Sequence, residues 1–442
     1  MKPQFLLASP FAGSGKTTIA LGLLRVWQRR GIKVQPFKCG PDSIDTQYHA
    51  LASGNDSVNL DSWLASSGHV QHLYNRYGER ADICLVEGTM GLYDGYHLQK
   101  GSCAEIASLL SIPVVMVVNA RAVSYSVAPL LYGFKAFNPQ VRIAGVIFNQ
   151  VASVAHYAVL REACTDAGLE CLGYVPVISE VKMPARHSGI TLSVRKSMNE
   201  QIDRIADVLE KHIALDRLES RCTRIFPCRY TLPFTSELDE EPMKPMWEKP
   251  LKIAVARDPA CCFLFREHLD RWSAMGELKF FSPVYGSDLP EADLVYLPGG
   301  FPELFARQLH RRKRLMQQLR DYAEAGGKIL AEGGGTLLLA RSLTVRPGGT
   351  AYEMAGIFPL DYTMAGTRLN SGYRTAVVQG ESLKGYEFHY PAASPSETCG
   401  SCVRILTPKG VETGASLYRY KNVIAGDVQW YWGETDLWSL WK

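Results

Sequence analysis

The chain has 442 residues, of which 46% are hydrophobic and 21% charged, and its net charge is +4. A chain of this length is expected to form two domains, because one hydrophobic core rarely serves more than about 250–300 residues. The small net charge argues against nucleic acid or a membrane surface as a partner, and no apolar run reaches the roughly 18 residues that a membrane span needs. The chain starts directly with a predicted strand and shows no signal peptide, so we expect a cytoplasmic protein.

The eleven cysteines are an odd number, and most of them lie inside apolar segments. In a cytoplasmic chain such thiols are expected to be buried as small hydrophobic groups. Cys399 and Cys402 have the CxxC spacing of zinc or redox sites, but no second pair accompanies them. Chance proximity is therefore the favoured interpretation.

The first strand, loop and helix of the chain indicate a phosphate-binding site. Residues 4–9 are apolar like a buried strand, and apolar residues recur at helical spacing from Ile19 until Gly31. The loop that joins them contains, in order, Gly13, Ser14, Gly15, Lys16, Thr17 and Thr18. The phosphate-loop pattern G-x-x-x-x-G-K-T has an earlier glycine where this chain has Pro10, so the match is incomplete.

This loop predicts binding of ATP with Mg²⁺. The N-terminus of a helix favours an anion, since its free N–H groups and its dipole both point toward it. Lys16 is expected to reach the β- and γ-phosphates, and the Thr17 hydroxyl to bind Mg²⁺. A glycine-rich turn that happens to carry a lysine is the alternative.

Two further strands are expected to end in polar residues. Residues 33–38 form a predicted strand that ends at Lys38, and a Gly-Pro turn then leads to Asp42 and Asp45. Ligands bind at the carboxyl ends of strands in open α/β sheets, so these residues suit a Mg-nucleotide and an anionic substrate, with a solvated turn as the alternative. Residues 82–88 form another strand, which ends in Glu87 as a second Mg²⁺-binding element should, and Asp94 follows in a glycine-rich loop.

The remaining strands of the first domain complete a doubly wound, mainly parallel sheet. They are predicted at residues 113–118 and 141–148. The latter ends at Asn149, whose amide could hydrogen-bond a nucleobase, although ordinary turn chemistry explains it nearly as well.

Residues 216–250 have the composition of a linker, with five prolines and an acidic run. We therefore predict domains at residues 1–215 and 251–442. In the second domain, strands are expected at residues 252–256, 279–282, 294–297 and 328–331, with helices at 262–274 and 302–325. The whole chain is thus predicted to be an α/β protein with two doubly wound domains.

The second domain contains a candidate nucleophile elbow without a nucleophile. A strand, a sharp turn and a helix are predicted around residues 331–336, the geometry that presents a reactive Ser or Cys. At the turn this chain has only Gly333, Gly334 and Gly335. His389 lies on a late strand, and a lone histidine of this kind is more often structural.

Together these segments resemble the cobyrinate a,c-diamide synthases, which belong to the dethiobiotin-synthetase-like group of ATP-dependent ligases. The resemblance spans nearly the whole chain in family order. It rests on Pro36-Phe37-Lys38, Gly40-Pro41-Asp42, Ile44-Asp45, Val86-Glu87-Gly88, Met90-Gly91-Leu92-Tyr93-Asp94-Gly95, Ala254-Val255-Ala256-Arg257-Asp258, Phe281-Ser282-Pro283, Gly299-Gly300-Phe301-Pro302-Glu303-Leu304 and Glu387-Phe388-His389-Tyr390.

The resemblance implies that ATP phosphorylates a corrin carboxylate and that ammonia displaces the phosphate, at two carboxylates in turn. It also implies a second domain of the class I glutamine amidotransferase type. The implied catalytic residues are Lys16, Lys38, Asp45, Asp94 and His389; the implied metal ligands are Thr17, Asp42 and Glu87; the loop residues 13–18 and Asn149 would hold the nucleotide. The expected partners are a corrinoid and ammonia or glutamine, without nucleic acid or membrane, and a homodimer is a candidate assembly.

The sequence departs from the family at several positions. Gly333 stands where the family has the nucleophilic cysteine, so His389 has no thiol to activate. Residues 426–432 replace a histidine-rich strand, Ser43 replaces a tyrosine, and Asn119 stands where an aspartate is frequent. Gly333 and the change at residues 426–432, both in the second domain, predict impaired glutamine hydrolysis and the use of free or partner-supplied ammonia. The changes at Ser43 and Asn119 leave the identity of the substrate open.

Two alternative functions remain at this point. One keeps the chemistry and changes the macrocycle, to hydrogenobyrinate or a nickel tetrapyrrole. The other is a regulatory ATPase of the partitioning type, which shares the phosphate-binding loop but explains neither the Asp42 and Glu87 segments nor the second domain.

Overall fold

The structure is a computed structural model that describes residues 1–178, 181, 192–228, 249–286, 288–393 and 401–441. The described residues form two compact units, the first running to residue 228 and the second starting at residue 249. Each unit is an α/β structure, as predicted. Cys399 and most of the predicted linker lie outside the described residues, and Cys402 is exposed.

The first unit is a mainly parallel sheet with helices between successive strands. Its strands are β1 (Lys2–Ala8), β2 (Val34–Cys39), β3 (Val58–Leu60), β4 (Ile83–Glu87), β5 (Val114–Asn119), β6 (Ile143–Val151), β7 (Cys171–Pro176) and β8 (Thr223–Arg224). Its helices are α1 (Lys16–Arg29), α2 (Asp45–Ser53), α3 (Ser67–Gly78), α4 (Cys103–Leu109), α5 (Val127–Phe137), α6 (Val154–Asp166), α7 (Leu192–His212) and α8 (Leu215–Cys222).

The strand order β3-β2-β4-β1-β5-β6-β7 brings the polar strand ends together. In the parallel register, Glu87 at the end of β4 lies opposite Lys38 of β2 on one side and Leu7 of β1 on the other. The strands themselves are apolar because both faces of a parallel sheet are covered by helices. The carboxyl ends of β1, β2 and β4 therefore form one continuous edge, at which the candidate site lies.

Part of the predicted linker is folded against the first unit. Residues 215–222 form α8, which buries Leu218 and Cys222, and β8 pairs antiparallel with β1. The apolar spacing within this short helix gives it a face to bury, and the five prolines lie further along the chain.

The second unit has a central sheet and two smaller sheets. The central sheet has the order β10-β9-β11-β12-β21-β20, in which only β20 is antiparallel to its neighbour. Its strands are β9 (Leu251–Ala256), β10 (Gly276–Phe281), β11 (Leu294–Leu297), β12 (Lys328–Glu332), β20 (Leu417–Tyr420) and β21 (Val423–Gly426). Its helices are α9 (Arg266–Met275), α10 (Ala306–Arg311) and α11 (Lys313–Glu324).

The smaller sheets are antiparallel for the most part and have the orders β14-β13-β15-β18 and β19-β16-β17-β22. Their strands are β13 (Ser342–Thr344), β14 (Ala351–Glu353), β15 (Asp361–Thr363), β16 (Asn370–Val378), β17 (Glu381–His389), β18 (Ala392–Ala393), β19 (Ile405–Leu406) and β22 (Val428–Trp430). Short 3₁₀ helices at Pro302–Phe305, Gly333–Leu338 and Leu437–Trp441 complete the unit.

The single long helix predicted for residues 302–325 is wrong. The segment is a 3₁₀ turn followed by α10 and α11, which are separated at Arg312 by non-helical backbone. Leu309 and Leu315 are both fully buried although they are six positions apart. On one continuous helix they would point about 120° apart, so the break lets both side chains face the core.

The helices of the described residues include none that is both long and apolar enough to cross a bilayer.

Candidate active site

The loop after β1 has the backbone of a phosphate-binding loop. Gly13 and Gly15 have φ angles of +76° and +90°, in the left-handed region that favours glycine. A Cβ atom on Gly15 would lie 2.1 Å from the amide nitrogen of Asn149, so a side chain is excluded there for a second reason. α1 begins directly afterwards at Lys16, which leaves its first N–H groups facing the loop.

Lys16 is buried at the start of α1 and contacts two neutral oxygen atoms. Its Nζ donates to Ser9 Oγ at 2.9 Å and to the carbonyl of Met90 at 2.6 Å. Burial lowers the pKa of Lys16 from its ordinary value, against the attraction of nearby acidic groups. The carbonyl comes from the loop that also contains Asp94, so the lysine links the phosphate-binding loop to that second loop.

Asn149 at the end of β6 contacts the phosphate-binding loop itself. Its Nδ2 donates to the carbonyl of Ser14 at 3.0 Å, and its Oδ1 accepts from the backbone N–H of Gln150 at 3.0 Å. The amide predicted to meet a nucleobase therefore holds the loop in place. This contact depends on the order of β1, β5 and β6 in the sheet. Patterns within single strands do not predict that order.

Glu87 lies at the centre of a buried polar cluster. Its Oε1 accepts from Thr17 Oγ1 at 2.5 Å and from Lys38 Nζ at 3.0 Å, and its Oε2 contacts His49 Nε2 at 2.5 Å. Lys38 also pairs with Asp45 Oδ2 at 2.6 Å. The cluster joins β4, α1, β2 and α2 at the carboxyl edge of the sheet.

The charges of this cluster stabilise one another. Burial alone would raise the pKa of Glu87, but Lys38 and His49 outweigh burial and hold that pKa well below its usual range. Burial alone would lower the pKa of Lys38, but Asp45 and Glu87 raise it above its ordinary value. The carboxylate and the ammonium are therefore both charged at neutral pH.

The two other predicted aspartates have different surroundings. Asp42 Oδ1 accepts from the backbone N–H groups of Ile44 and Asp45 at 2.8 and 2.9 Å, in the turn that leads into α2. Asp94 is exposed, and its Oδ2 accepts from the N–H of Gly91 at 2.9 Å. Asp94 is thus available to a substrate at the surface, whereas one oxygen of Asp42 is already used by the backbone.

The oxygen atoms of Thr17 and Glu87 suit Mg²⁺. Mg²⁺ prefers hard oxygen ligands and commonly takes one or two from the protein and the rest from phosphates and water. The hydroxyl and the carboxylate lie 2.5 Å apart at the mouth of the phosphate-binding loop. Within the described ranges no three His, Cys, Asp or Glu side chains are grouped as a metal site. The candidate Mg²⁺ site therefore has two protein ligands, Thr17 and Glu87.

The second unit contains the predicted elbow, with glycine at its turn. Gly333 follows β12 with a φ of +51°, a conformation that costs a non-glycine residue about 1–3 kcal/mol. A Cβ atom there would meet nothing closer than Gly299 Cα at 3.6 Å and the Asp427 carbonyl at 3.8 Å. There is room for a side chain, but the position carries no thiol. The nearby Thr336 hydroxyl is occupied, because it donates to the carbonyl of Gly426 at 2.8 Å and accepts from that residue's N–H.

His389 is a hydrogen-bonded partner of Glu387. Its Nδ1 lies 2.8 Å from the Pro391 carbonyl, which can only accept, and its Nε2 lies 2.9 Å from Glu387 Oε1. Burial would lower the pKa of His389, but the bond to Glu387 and the charge of Asp427 raise it. With both ring nitrogens engaged in these contacts, His389 has no free nitrogen to act as a general base, so its catalytic role stays a prediction.

Comparison with known protein families agrees with this two-site arrangement. Residues 5–190 match the CobQ/CobB/MinD/ParA nucleotide binding domain, and residues 252–427 match the CobB/CobQ-like glutamine amidotransferase domain. The chain is 38% identical over 429 residues to a hydrogenobyrinate a,c-diamide synthase of Brucella suis biovar 1, covering 95% of this chain and 96% of that protein. It is 36% identical over 400 residues to a cobyrinate a,c-diamide synthase of Archaeoglobus fulgidus, covering 88% and 85% of the two chains.

The chain belongs to the cobyrinate and hydrogenobyrinate a,c-diamide synthase family. It is an amide-forming ligase with a nucleotide-binding domain in the first unit and a glutamine amidotransferase domain in the second. The family resemblance stated from the sequence motifs is confirmed.

Beside the elbow, this a,c-diamide synthase family member buries a carboxyl group. Glu332 accepts from Tyr296 Oη at 2.7 Å and from the indole N–H of Trp432 at 2.9 Å, and the N–H of Trp430 approaches at 3.3 Å. Burial outweighs these donors and raises the pKa of Glu332 to about 8. The neutral acid is the form that the fold favours at neutral pH.

Replacing Glu332 by glutamine should remove a pH-dependent loss of stability from the second unit. Because the folded pKa of about 8 lies above the unfolded value of about 4.3, the contribution of Glu332 is complete below pH ~4.3 and is lost as the pH rises through 8. A glutamine amide can donate to the Tyr296 oxygen and keep its carbonyl toward the two tryptophans. The measurement is urea unfolding at pH 5, 6, 7 and 8, followed by tryptophan fluorescence. Between pH 5 and pH 8 the free energy of unfolding of the variant should rise relative to that of the wild type by on the order of a few kcal/mol.

The exposed Glu381 supplies the matched control, because Glu381→Gln changes the same group on the surface. Parallel stability curves for the wild type and Glu332→Gln would contradict the assignment of a neutral Glu332.

Several polar groups that contact the predicted site residues were not predicted from the sequence, and three of them belong to the cluster around Lys16 and Glu87. They are Ser9 and the Met90 carbonyl, which hold Lys16, and His49, which contacts Glu87. His49 could have been found, because it follows Asp45 by four positions and so shares its face of a helix. The other two contacts depend on how loops from different strands meet, for which the sequence has no periodic signal.

Proposed function

We propose that this enzyme converts carboxylates of a corrin ring, cobyrinate or hydrogenobyrinate, to amides, with ATP as activator and ammonia as nitrogen donor. The observation that carries this proposal is the cluster of Lys16, Thr17, Lys38 and Glu87 at one edge of the first unit, in a chain of this family. It holds phosphate-binding and carboxylate-orienting groups side by side.

The reaction has two steps at each carboxylate. A carboxylate oxygen of the substrate attacks the γ-phosphorus of ATP, the bond to the β-γ bridging oxygen breaks, and an acyl phosphate and ADP result. Ammonia then attacks the acyl carbon, inorganic phosphate leaves, and a proton is lost from the nitrogen to give the amide. Both steps build negative charge on phosphoryl oxygens, so positioned cations and N–H donors are the main source of catalysis.

The side chains divide this work by position. Lys16 would exchange its contacts to Ser9 and Met90 for phosphate oxygens, and the loop N–H groups would hold the β-phosphate. Lys38, held by Asp45 and Glu87, would supply a fixed positive charge for the phosphoryl group that is transferred. The exposed Asp94 would orient the substrate.

Thr17 and Glu87 would hold Mg²⁺, which supplies charge neutralisation at the β- and γ-phosphates when bound. Asp42 fits this role less directly, because the backbone of α2 already uses one of its oxygens.

Free ammonia, or ammonia from a partner protein, is the proposed nitrogen source. Glutamine hydrolysis by this domain type needs a nucleophile, and Gly333 has none. Thr336 is tied to Gly426, and both nitrogens of His389 are engaged. A cytoplasmic location and a homodimer complete the proposal.

Amide formation with ATP should therefore depend on ammonium and not on glutamine. The measurement is mass spectrometry of cobyrinate and hydrogenobyrinate after incubation with ATP, Mg²⁺ and either nitrogen donor, with a glutamate assay alongside. We expect product only with ammonium and no glutamate release above the rate without enzyme. Equal product from glutamine, together with stoichiometric glutamate, would refute the ammonia proposal and leave the amidation proposal intact.

The same assay separates the alternative functions. If a nickel tetrapyrrole shows the mass shift of amidation and neither cobyrinate nor hydrogenobyrinate does, the substrate is another macrocycle. ATP hydrolysis that no tetrapyrrole changes would favour the regulatory ATPase.

A further inference from the structure

We infer that His49 is a positioning residue for nucleotide-dependent chemistry. By contacting one oxygen of the Glu87 carboxylate, it fixes the orientation of the other oxygen, which faces Thr17 and Lys38. This inference rests on the proposed function, because Glu87 is there assigned to the Mg²⁺-nucleotide. None of the sequence motifs assigned a role to His49.

The contacts of His49 are specific and fully buried. The side chain is on α2 with no exposed surface, and its Nε2 lies 2.5 Å from Glu87 Oε2. Its Nδ1 lies 3.0 Å from Ser57 Oγ, which fixes the plane of the ring. Since the carboxylate is charged and accepts, Nε2 carries a proton and donates.

The two oxygens of Glu87 have separate tasks in this arrangement. Oε1 accepts from Thr17, at the end of the phosphate-binding loop, and from Lys38 of β2. Oε2 points the other way, to His49. A carboxylate held through one oxygen can pivot about its Cγ–Cδ bond, whereas bonds to both oxygens fix its plane. His49 thus determines where Oε1 and the Thr17 hydroxyl lie.

α2 reaches the cluster through a second residue as well. Asp45, four positions before His49 on the same helix, pairs with Lys38 at 2.6 Å. One helix face therefore contacts both Glu87 and Lys38. Because outer partners of this kind orient groups that bind metal, their loss typically costs about 10–100-fold in metal affinity or activity.

Two substitutions separate the bond to Glu87 from the bond to Ser57. In His49→Gln the amide nitrogen can occupy the place of Nε2 and still donate to Glu87. In His49→Asn the shorter amide reaches only toward Ser57. We expect the apparent Mg²⁺ constant for ATP-dependent amidation to rise by about 10–100-fold in His49→Asn, and to stay within about threefold of wild type in His49→Gln.

A binding measurement without turnover accompanies the kinetics. Electron paramagnetic resonance of Mn²⁺, added with a non-hydrolysable ATP analogue, should show weakened binding in His49→Asn and near-normal binding in His49→Gln. His156→Asn is the control, since His156 contacts the Val123 carbonyl in another part of the unit. Circular dichroism and the melting temperature report whether each variant is folded.

The outcomes distinguish this inference from the proposed function. If wild type forms no amide but Mn²⁺ binding follows the expected order, the proposed function fails and the positioning role stands. Equal loss in His49→Gln and His49→Asn, or unchanged metal binding in a folded His49→Asn, would overturn the positioning role.

Discussion

Replacing Lys16 by methionine should lower kcat for amide formation by at least about 10²–10³-fold, with little effect on the fold. In the structure the ammonium group donates to Ser9 Oγ and the Met90 carbonyl. Phosphate oxygens would replace these neutral acceptors with charged ones, and charge-assisted hydrogen bonds are roughly twice as strong. Methionine keeps the length of the buried stem and removes only the charge and the donors.

The measurement is single-turnover formation of the amide with saturating ATP and ammonium. Lys196→Met, at an exposed position of α7, is the matched control and should keep wild-type activity. A Lys16→Met enzyme that is folded and retains more than about a tenth of the wild-type rate would remove Lys16 from the proposed mechanism.

Replacing Lys38 by methionine should destabilise the first unit by about 3–5 kcal/mol as well as abolish amidation. Lys38 lies between Asp45 and Glu87, with 2% of its side chain exposed. Its removal leaves Asp45 buried without its cation and leaves Glu87 with Thr17 and His49 as its remaining named partners. Hydrogen exchange of peptides from β2 and β4 measures this loss in the unit concerned.

A double variant tests the electrostatic cause of this loss. Lys38→Met combined with Asp45→Asn also removes the carboxylate charge that Lys38 pairs with, and should recover part of the stability without activity. Lys33→Met, at an exposed position just before β2, is the control. If the double variant is as unstable as Lys38→Met, packing and not charge determines the loss.

The contribution of this cluster to the stability of the first unit should be lost both at low pH, through Glu87, and at high pH, through Lys38. The folded pKa of Glu87 is lowered, so its contribution is present above the unfolded value of about 4.3 and is lost as the pH falls below it. The folded pKa of Lys38 is raised, so its contribution is present below the unfolded value of about 10.4 and is lost above it. The difference in the free energy of unfolding between the wild type and Lys38→Met should therefore be largest between these two pH values.

Sequence patterns predicted β1, β2, β4, β5 and β6 of the first unit because parallel strands are buried on both faces, whereas the strands β3, β7 and β8 were not predicted. β1, β2 and β4 are short apolar runs, and each is followed by a turn or a polar residue. The break between α10 and α11 was missed, because helical spacing alone does not show that Leu309 and Leu315 must face one core.

The amino-acid sequence by itself determined which chemistry this protein has available. The lysine and hydroxyl of the phosphate-binding loop, the acids after β2 and β4, and the absence of a thiol at Gly333 are all properties of residue type and local order. Tertiary structure alone decided which of these groups meet. The sheet order sets β4 between β1 and β2, and only then does Glu87 contact Thr17, Lys38 and His49. Strand order depends on long-range packing, which leaves no periodic trace in the sequence, so the contacts of Asn149 and His49 appear only in the folded chain.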